Sequence, residues 1–141
     1  MVNIQTAKPF WIHNIPKRKQ VNANQAGSLH RTINQNKMSD TKKPGGLEMT
    51  TFKLEKGKTY QDFIAANADV DIWLKKQPGF QSRHIAEQPN GTIIDALIWD
   101  SEADGINAMH GLMKELADSP VHLVIDQGTV SWNIYPVYHQ I

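Results

Sequence analysis

"FQSRHIAEQPNGTIIDALIWDSEADG", residues 80–105, decides the fold. Two strand-like runs, 80–87 and 92–100, flank "QPNG". Asn-Gly tolerates the positive φ angles of a tight turn, so the spacing predicts a hairpin closed by a two-residue loop, Asn90-Gly91. The second run, "TIIDALIWD", is almost wholly apolar and reads as a central strand covered on both faces. Ser101 then opens a helix, with Glu102 and Asp104 in the first turn, where carboxylates suit the dipole.

This register sets Ala86 opposite Asp95, His84 opposite Leu97 and Ser82 opposite Trp99. Ser82, His84, Asp95 and Trp99 then share one face, and Arg83 shares the other with Ile94, Ala96 and Ile98. A plain core would put only apolar groups on such a face. His84 and Asp95 become diagonal neighbours within side-chain reach. A carboxylate fixes the tautomer of an imidazole and raises its basicity, which makes a usable acid or base near neutral pH. His84 and Asp95 are therefore the candidate catalytic pair, with a structural Asp–His bond in the sheet as the plainer alternative. One more residue on one side of the turn reverses the parity and puts Arg83 beside Asp95 as an ion pair. The face that the helices cover is equally open. Facing away from them, the cluster becomes a contact between two sheets.

Upstream, "LEMTTFKL" (47–54) reads as a strand ended by Gly57. "TYQDFIAANADVDIWLKKQ" (59–77) reads as one helix, capped by Thr59 and stopped by Pro78-Gly79. Downstream, Ile106, Met109, Met113 and Leu116 make the apolar stripe of the second helix. "VHLVI" forms a short extra turn, and "GTVSWNIYPVYH" (128–139) is the last strand, with Pro136 near an unpaired end. The order is βαββαβ, an α+β, ferredoxin-like arrangement with both helices on one face of a four-stranded antiparallel sheet. The other face is too apolar to stay wet, which predicts a homodimer packed sheet against sheet.

The 141 residues suit one domain, but charge divides them. Residues 1–46 carry eight Lys or Arg and one acid, Asp40, whereas residues 47–141 carry seven and thirteen. The basic segment is rich in Asn, Gln, Lys and Ser and keeps no helical or strand period, so it reads as a disordered extension ahead of a folded domain at 47–141. The chain's true start is open between Met1, Met38 and Met49. A basic arm for nucleic acid or a targeting peptide is the lesser reading of this segment. There are no cysteines, which excludes disulfides and thiolate chemistry and fits a reducing, cytoplasmic setting. No run of about 18 apolar residues spans a membrane. Phosphate loops and serine-hydrolase elbows are absent, so nucleotide-dependent and serine-hydrolase readings find no support.

"QPGFQSRHI", "DALIWDSEADGINAM" and "LADSPVHLVIDQGTVSW" resemble the dimeric α/β-barrel superfamily, near the antibiotic biosynthesis monooxygenase-like domains. The most specific elements are Pro78-Gly79-Phe80 leading to Ser82-Arg83, Asp95 four residues before Trp99, then Ser101, and Ile125-Asp126 before Val130. The resemblance covers roughly residues 47–141. It implies two protomers joined through their sheets, and a small-ligand cleft between each sheet and its own helices. It also implies activities ranging from cofactor-free oxygenation of polycyclic phenols to haem degradation, beside members without known activity. The haem branch uses an Asn, a Trp and a helix-borne His. Asn67, Trp99 and His110 or His122 are of these types but do not reproduce that motif.

In such a cleft Asn67, within the apolar face of the first helix, points at a ligand oxygen. Trp99 and Trp132 offer stacking surfaces, and Trp73 packs in the core. His110 flanks the second helix's stripe and His122 sits near the mouth. No close metal-ligand spacing such as H-x-x-x-H occurs, so no metal is expected. The reading is a homodimeric, cofactor-independent monooxygenase-like enzyme for a small aromatic or enolisable compound. His84 and Asp95 are its catalytic candidates; Asn67, Trp99, His110 and His122 are its ligand contacts. A non-catalytic small-ligand or stress-response module of the same fold is the alternative.

Overall fold

The computed structural model describes residues 43–141. The expectations for the basic segment fall almost wholly outside these residues. Eight elements follow in order: β1 (Gly45–Leu54), α1 (Tyr60–Ala66), α2 (Ala68–Leu74), β2 (Phe80–Glu87), β3 (Ile93–Trp99), α3 (Glu102–Glu115), α4 (Val121–Val124) and β4 (Ile125–Val137). The strands form one antiparallel sheet in the order β2-β3-β1-β4, and the architecture is ferredoxin-like α+β. No helix among the described residues is long and apolar enough to cross a membrane.

The hairpin departs from the expected register by one residue. Ile85 lies opposite Asp95, His84 opposite Ala96 and Arg83 opposite Leu97. The cause is Pro89. Its ring holds φ near −65°, which suits the second position of a type I turn. The turn therefore runs Gln88-Pro89-Asn90-Gly91, closed by Gly91 N–H donating to Gln88 O at 2.9 Å. Gly91 takes φ +82°, and Gln88 N–H donates to Thr92 O at 2.8 Å. The loop has three residues rather than two, so every side chain of β2 changes face.

The first helix is also not continuous. At Asn67 the backbone has φ −91° and ψ 1°, and its N–H donates to Ile64 O at 3.2 Å. The side-chain Nδ2 donates instead to Phe63 O at 2.7 Å, the carbonyl that a regular helix would pair with the Asn67 N–H. Such competition is why Asn breaks helices. The break separates α1 from α2 and leaves Oδ1 free to face the sheet. At the N-terminus of α1, Thr59 and Asp62 form a reciprocal capping box. Hydrogen bonds from the Thr59 backbone N–H, then its hydroxyl, hold the Asp62 carboxyl below its ordinary range.

The core lies between the sheet and the helices, with Phe52, Phe63, Trp73, Ile93, Leu97 and Trp99 at its centre. On α3 the buried residues are Gly105, Ala108 and Met109, with Leu112 packed against the core. The stripe is thus rotated from the expected Ile106-Met113 line, because small residues let α3 approach Trp99 and Ile134 closely.

Gly79 joins α2 to β2 at φ +78°, and its carbonyl accepts from Asp100 N–H at 2.8 Å. A Cβ there would lie 2.5 Å from Asp104 Cγ, and Asp104 is held by Ser101 Oγ at 2.9 Å. Gly79→Ala should therefore destabilise the domain by about 1–3 kcal/mol. Urea unfolding checks this, and an unchanged midpoint would contradict it.

Candidate active site

Alternation along the strands sends Glu48, Thr50 and Phe52 of β1, Arg83 of β2, and Asp95, Leu97 and Trp99 of β3 toward the helices. Between these side chains and α1–α4 lies a cleft that opens to solvent at its mouth. Phe63, Val70, Leu74, Met109 and Leu112 line its helical side. A mostly apolar cleft with a few convergent polar groups is the usual form of a small-molecule site.

Arg83 organises the polar end. Its Nε donates to Asp95 Oδ1 at 3.0 Å and its Nη2 to Asp95 Oδ2 at 2.6 Å, a two-pronged pair. Nη2 also donates to Asn67 Oδ1 at 2.7 Å, and Nη1 to Asp71 Oδ1 at 2.9 Å. One guanidinium thus ties β2 and β3 to the break between α1 and α2. The planar fork of Arg matches a carboxylate as a lysine ammonium cannot. Burial alone would lower the Arg83 pKa, but Asp95 and then Asp71 outweigh it and raise it, so the group stays cationic.

Glu48 forms the second polar centre. The carboxylate is nine-tenths buried, and each oxygen accepts an indole N–H at 2.7 Å, Oε2 from Trp99 and Oε1 from Trp132. Burial pushes its pKa up to about 7. The two indoles pull it down, Asp95 raises it and Arg83 lowers it, none of them as strongly as burial. The folded value lies above the ordinary one. Glu48 therefore favours folding at low pH, and this contribution is lost as pH rises from about 4.5 to about 7. The loss should amount to about 3 kcal/mol. Urea unfolding of wild type against Glu48→Gln across that interval checks it. The wild type should lose stability with the steeper slope, and parallel curves would contradict the assignment.

The expected site residues divide. Asn67, Asp95, Trp99 and His122 line the cavity. The expected His84–Asp95 pair does not form. His84 is exposed on the opposite face of the sheet, because the three-residue turn reversed its parity, and Arg83 occupies its place beside Asp95. His110 is likewise exposed on α3 and does not line the cavity, since the buried side of that helix runs through Ala108 and Met109. His122 Nε2–H donates to Leu116 O at 2.8 Å, which fixes its tautomer. Glu48 escaped the sequence reading. The signal was an acid at the i, i−2 and i−4 spacing from Phe52 and Thr50, on the buried face of a strand.

No protein-family model and no curated protein matches the sequence. Solved structures do match the fold. A variant of SnoaB, a cofactor-independent oxygenase from Streptomyces nogalater, aligns with TM-score 0.56 at 10% identity over 70% of this chain and 97% of its own. The ActVA-Orf6 monooxygenase of Streptomyces coelicolor, in complex with nanaomycin D, aligns with TM-score 0.51 at 19% identity over 70% and 91%. A protein assigned as an antibiotic biosynthesis monooxygenase from Nitrosomonas europaea aligns with TM-score 0.56 at 11% identity over 69% and 93%. The domain therefore shares the ferredoxin-like fold of these proteins.

Proposed function

We propose that this protein is a cofactor-independent monooxygenase-like enzyme acting on a small aromatic or enolisable compound. The observation that carries the reading is the cavity, where an apolar, tryptophan-walled space meets the buried Glu48 and Arg83–Asn67–Asp95 groups. Two neighbours of the fold, an oxygenase without cofactor and a monooxygenase in complex with nanaomycin D, support it. In such chemistry the deprotonated substrate reduces O₂ itself. A methylene becomes a carbonyl, one oxygen atom enters the product, and the other leaves as water. The protein need only supply a proton acceptor, donors for developing charge, and a dry cleft. Native mass spectrometry identifies a bound ligand, and oxygen uptake with that ligand tests turnover. Binding without uptake would favour the non-catalytic small-ligand module instead.

The proposal includes a homodimer built through the outer face of the sheet. Leu47, Met49, Ile94, Ala96 and Ile98 lie there, unsheltered by the chain's own helices. An exposed apolar surface of this kind marks an interface. Light scattering should give twice the 15.9 kDa chain mass. Ala96→Asp should yield monomer, and His84→Ala on the same face should weaken association while sparing ligand binding. A wild-type monomer at micromolar concentration would end this part of the proposal.

A further inference from the structure

The geometry points to Glu48 as the group that accepts the proton of a bound, uncharged, hydroxyl-bearing aromatic substrate. This rests on the reading of the cavity as an aromatic-ligand site.

Three observations carry it. First, Glu48 lies on the cavity wall, nine-tenths buried, with its two oxygens oriented by the indoles of Trp99 and Trp132. Each carboxylate oxygen has a second lone pair, so each can accept from a ligand as well as from an indole. Second, Arg83 is not available as an anion receptor. Four of its five N–H groups are committed, to Asp95, Asn67 and Asp71. Two carboxylates already balance its single charge, so among the described residues the wall offers an anionic ligand no spare Lys or Arg. Third, burial favours the neutral carboxyl and outweighs the two indoles and Arg83, which favour the carboxylate. Asp95 and Arg83 face Glu48 from β3 and β2, with Asp71 behind Arg83 from α2. His122 of α4 lines the same wall. From α3 come only Ala108, Met109 and Leu112, which carry no charge.

The step balances simply. The substrate O–H bond breaks, the proton forms an O–H bond on Glu48, and the bonding pair stays on the substrate oxygen as a phenolate or enolate. No electron leaves the pair of reactants. The negative charge moves from a carboxylate that burial disfavours onto a ligand that can delocalise it, so desolvation drives the transfer forward. The same logic refuses a carboxylate ligand of equal shape, because two anions would then share one buried wall.

Two measurements test this. Without ligand, the indole N–H resonances of Trp99 and Trp132 should titrate together with a midpoint near 7. Glu48→Gln should abolish the titration and His122→Gln should leave it. Independent or absent titration of the two indoles would overturn the proposal. With ligand, the probes are naphthol, methoxynaphthalene and naphthoate substituted at one ring position. Naphthol should bind about tenfold more tightly at about pH 8 than at about pH 5.5, and Glu48→Gln should flatten that profile. Methoxynaphthalene should show no pH dependence, and naphthoate should bind at least about tenfold more weakly than naphthol at the higher pH. If naphthol and methoxynaphthalene bind alike and both ignore Glu48→Gln, the assignment of Glu48 fails while the aromatic cavity stands. If no naphthalene binds, the aromatic reading of the cavity fails and the proposal falls with it.

Discussion

Arg83→Met should destabilise the folded domain by about 3–5 kcal/mol. The expected cost is that of an orphaned buried charge. Arg83 and Asp95 side chains are only 10% and 11% exposed, and Asp95 takes both of its shortest bonds from this one guanidinium. Methionine fills much of the volume and supplies no donor. Asn67 Oδ1 loses its partner in the same stroke, so the break between α1 and α2 loses its tie to the sheet. For a domain of this size the melting temperature should fall by more than about 10 °C. The paired replacement Arg83→Met with Asp95→Leu should recover more than half of the loss, because removing both members of a buried pair leaves no unpaired charge. A double-mutant cycle by urea unfolding reads this coupling directly. A single variant costing under about 1 kcal/mol would mean that the cluster is not structural.

Ala108→Phe should abolish ligand binding while leaving the domain folded. Ala108 is buried on α3 and lines the cavity opposite the sheet. Ala108 belongs to the buried core as well as to the cavity wall, so the added ring should carry an overpacking penalty of about 1–3 kcal/mol. It removes the room that a ring-sized ligand needs, and affinity for naphthol should fall at least about a hundredfold. Calorimetric titration at constant pH measures it. Retained affinity in a folded variant would place the ligand site elsewhere.

Much of the fold was legible because periodicity survives the details. The strand and helix order follows from the runs at 47–54, 59–77, 80–87, 92–100 and 128–139; the structure keeps the strand runs within a few residues and divides the run at 59–77 into α1 and α2. The site was less legible because it depends on parity. Pro89 sits one residue before Asn90-Gly91, and its fixed φ converts the expected two-residue turn into a three-residue one. That single residue exchanged His84 for Arg83 beside Asp95. Asn67 was visible as a polar group in an apolar stripe, but not its bond to Phe63 O that breaks the helix. Glu48 was hidden for a different reason. Its partners are indoles distant in sequence, on Trp99 and Trp132, and only the sheet order β3-β1-β4 brings them to it.

Turnover of an aromatic substrate with O₂ alone is the activity proposed for the cavity. Oxygen uptake with anthrone, a tricyclic ketone bearing an enolisable methylene, tests it most directly when run with added chelator and without flavin, nicotinamide or metal. One O₂ should be consumed for each quinone formed, at a rate well above the uncatalysed one, lost in Ala108→Phe and reduced in Glu48→Gln. Uptake by wild type no faster than by Ala108→Phe would contradict it.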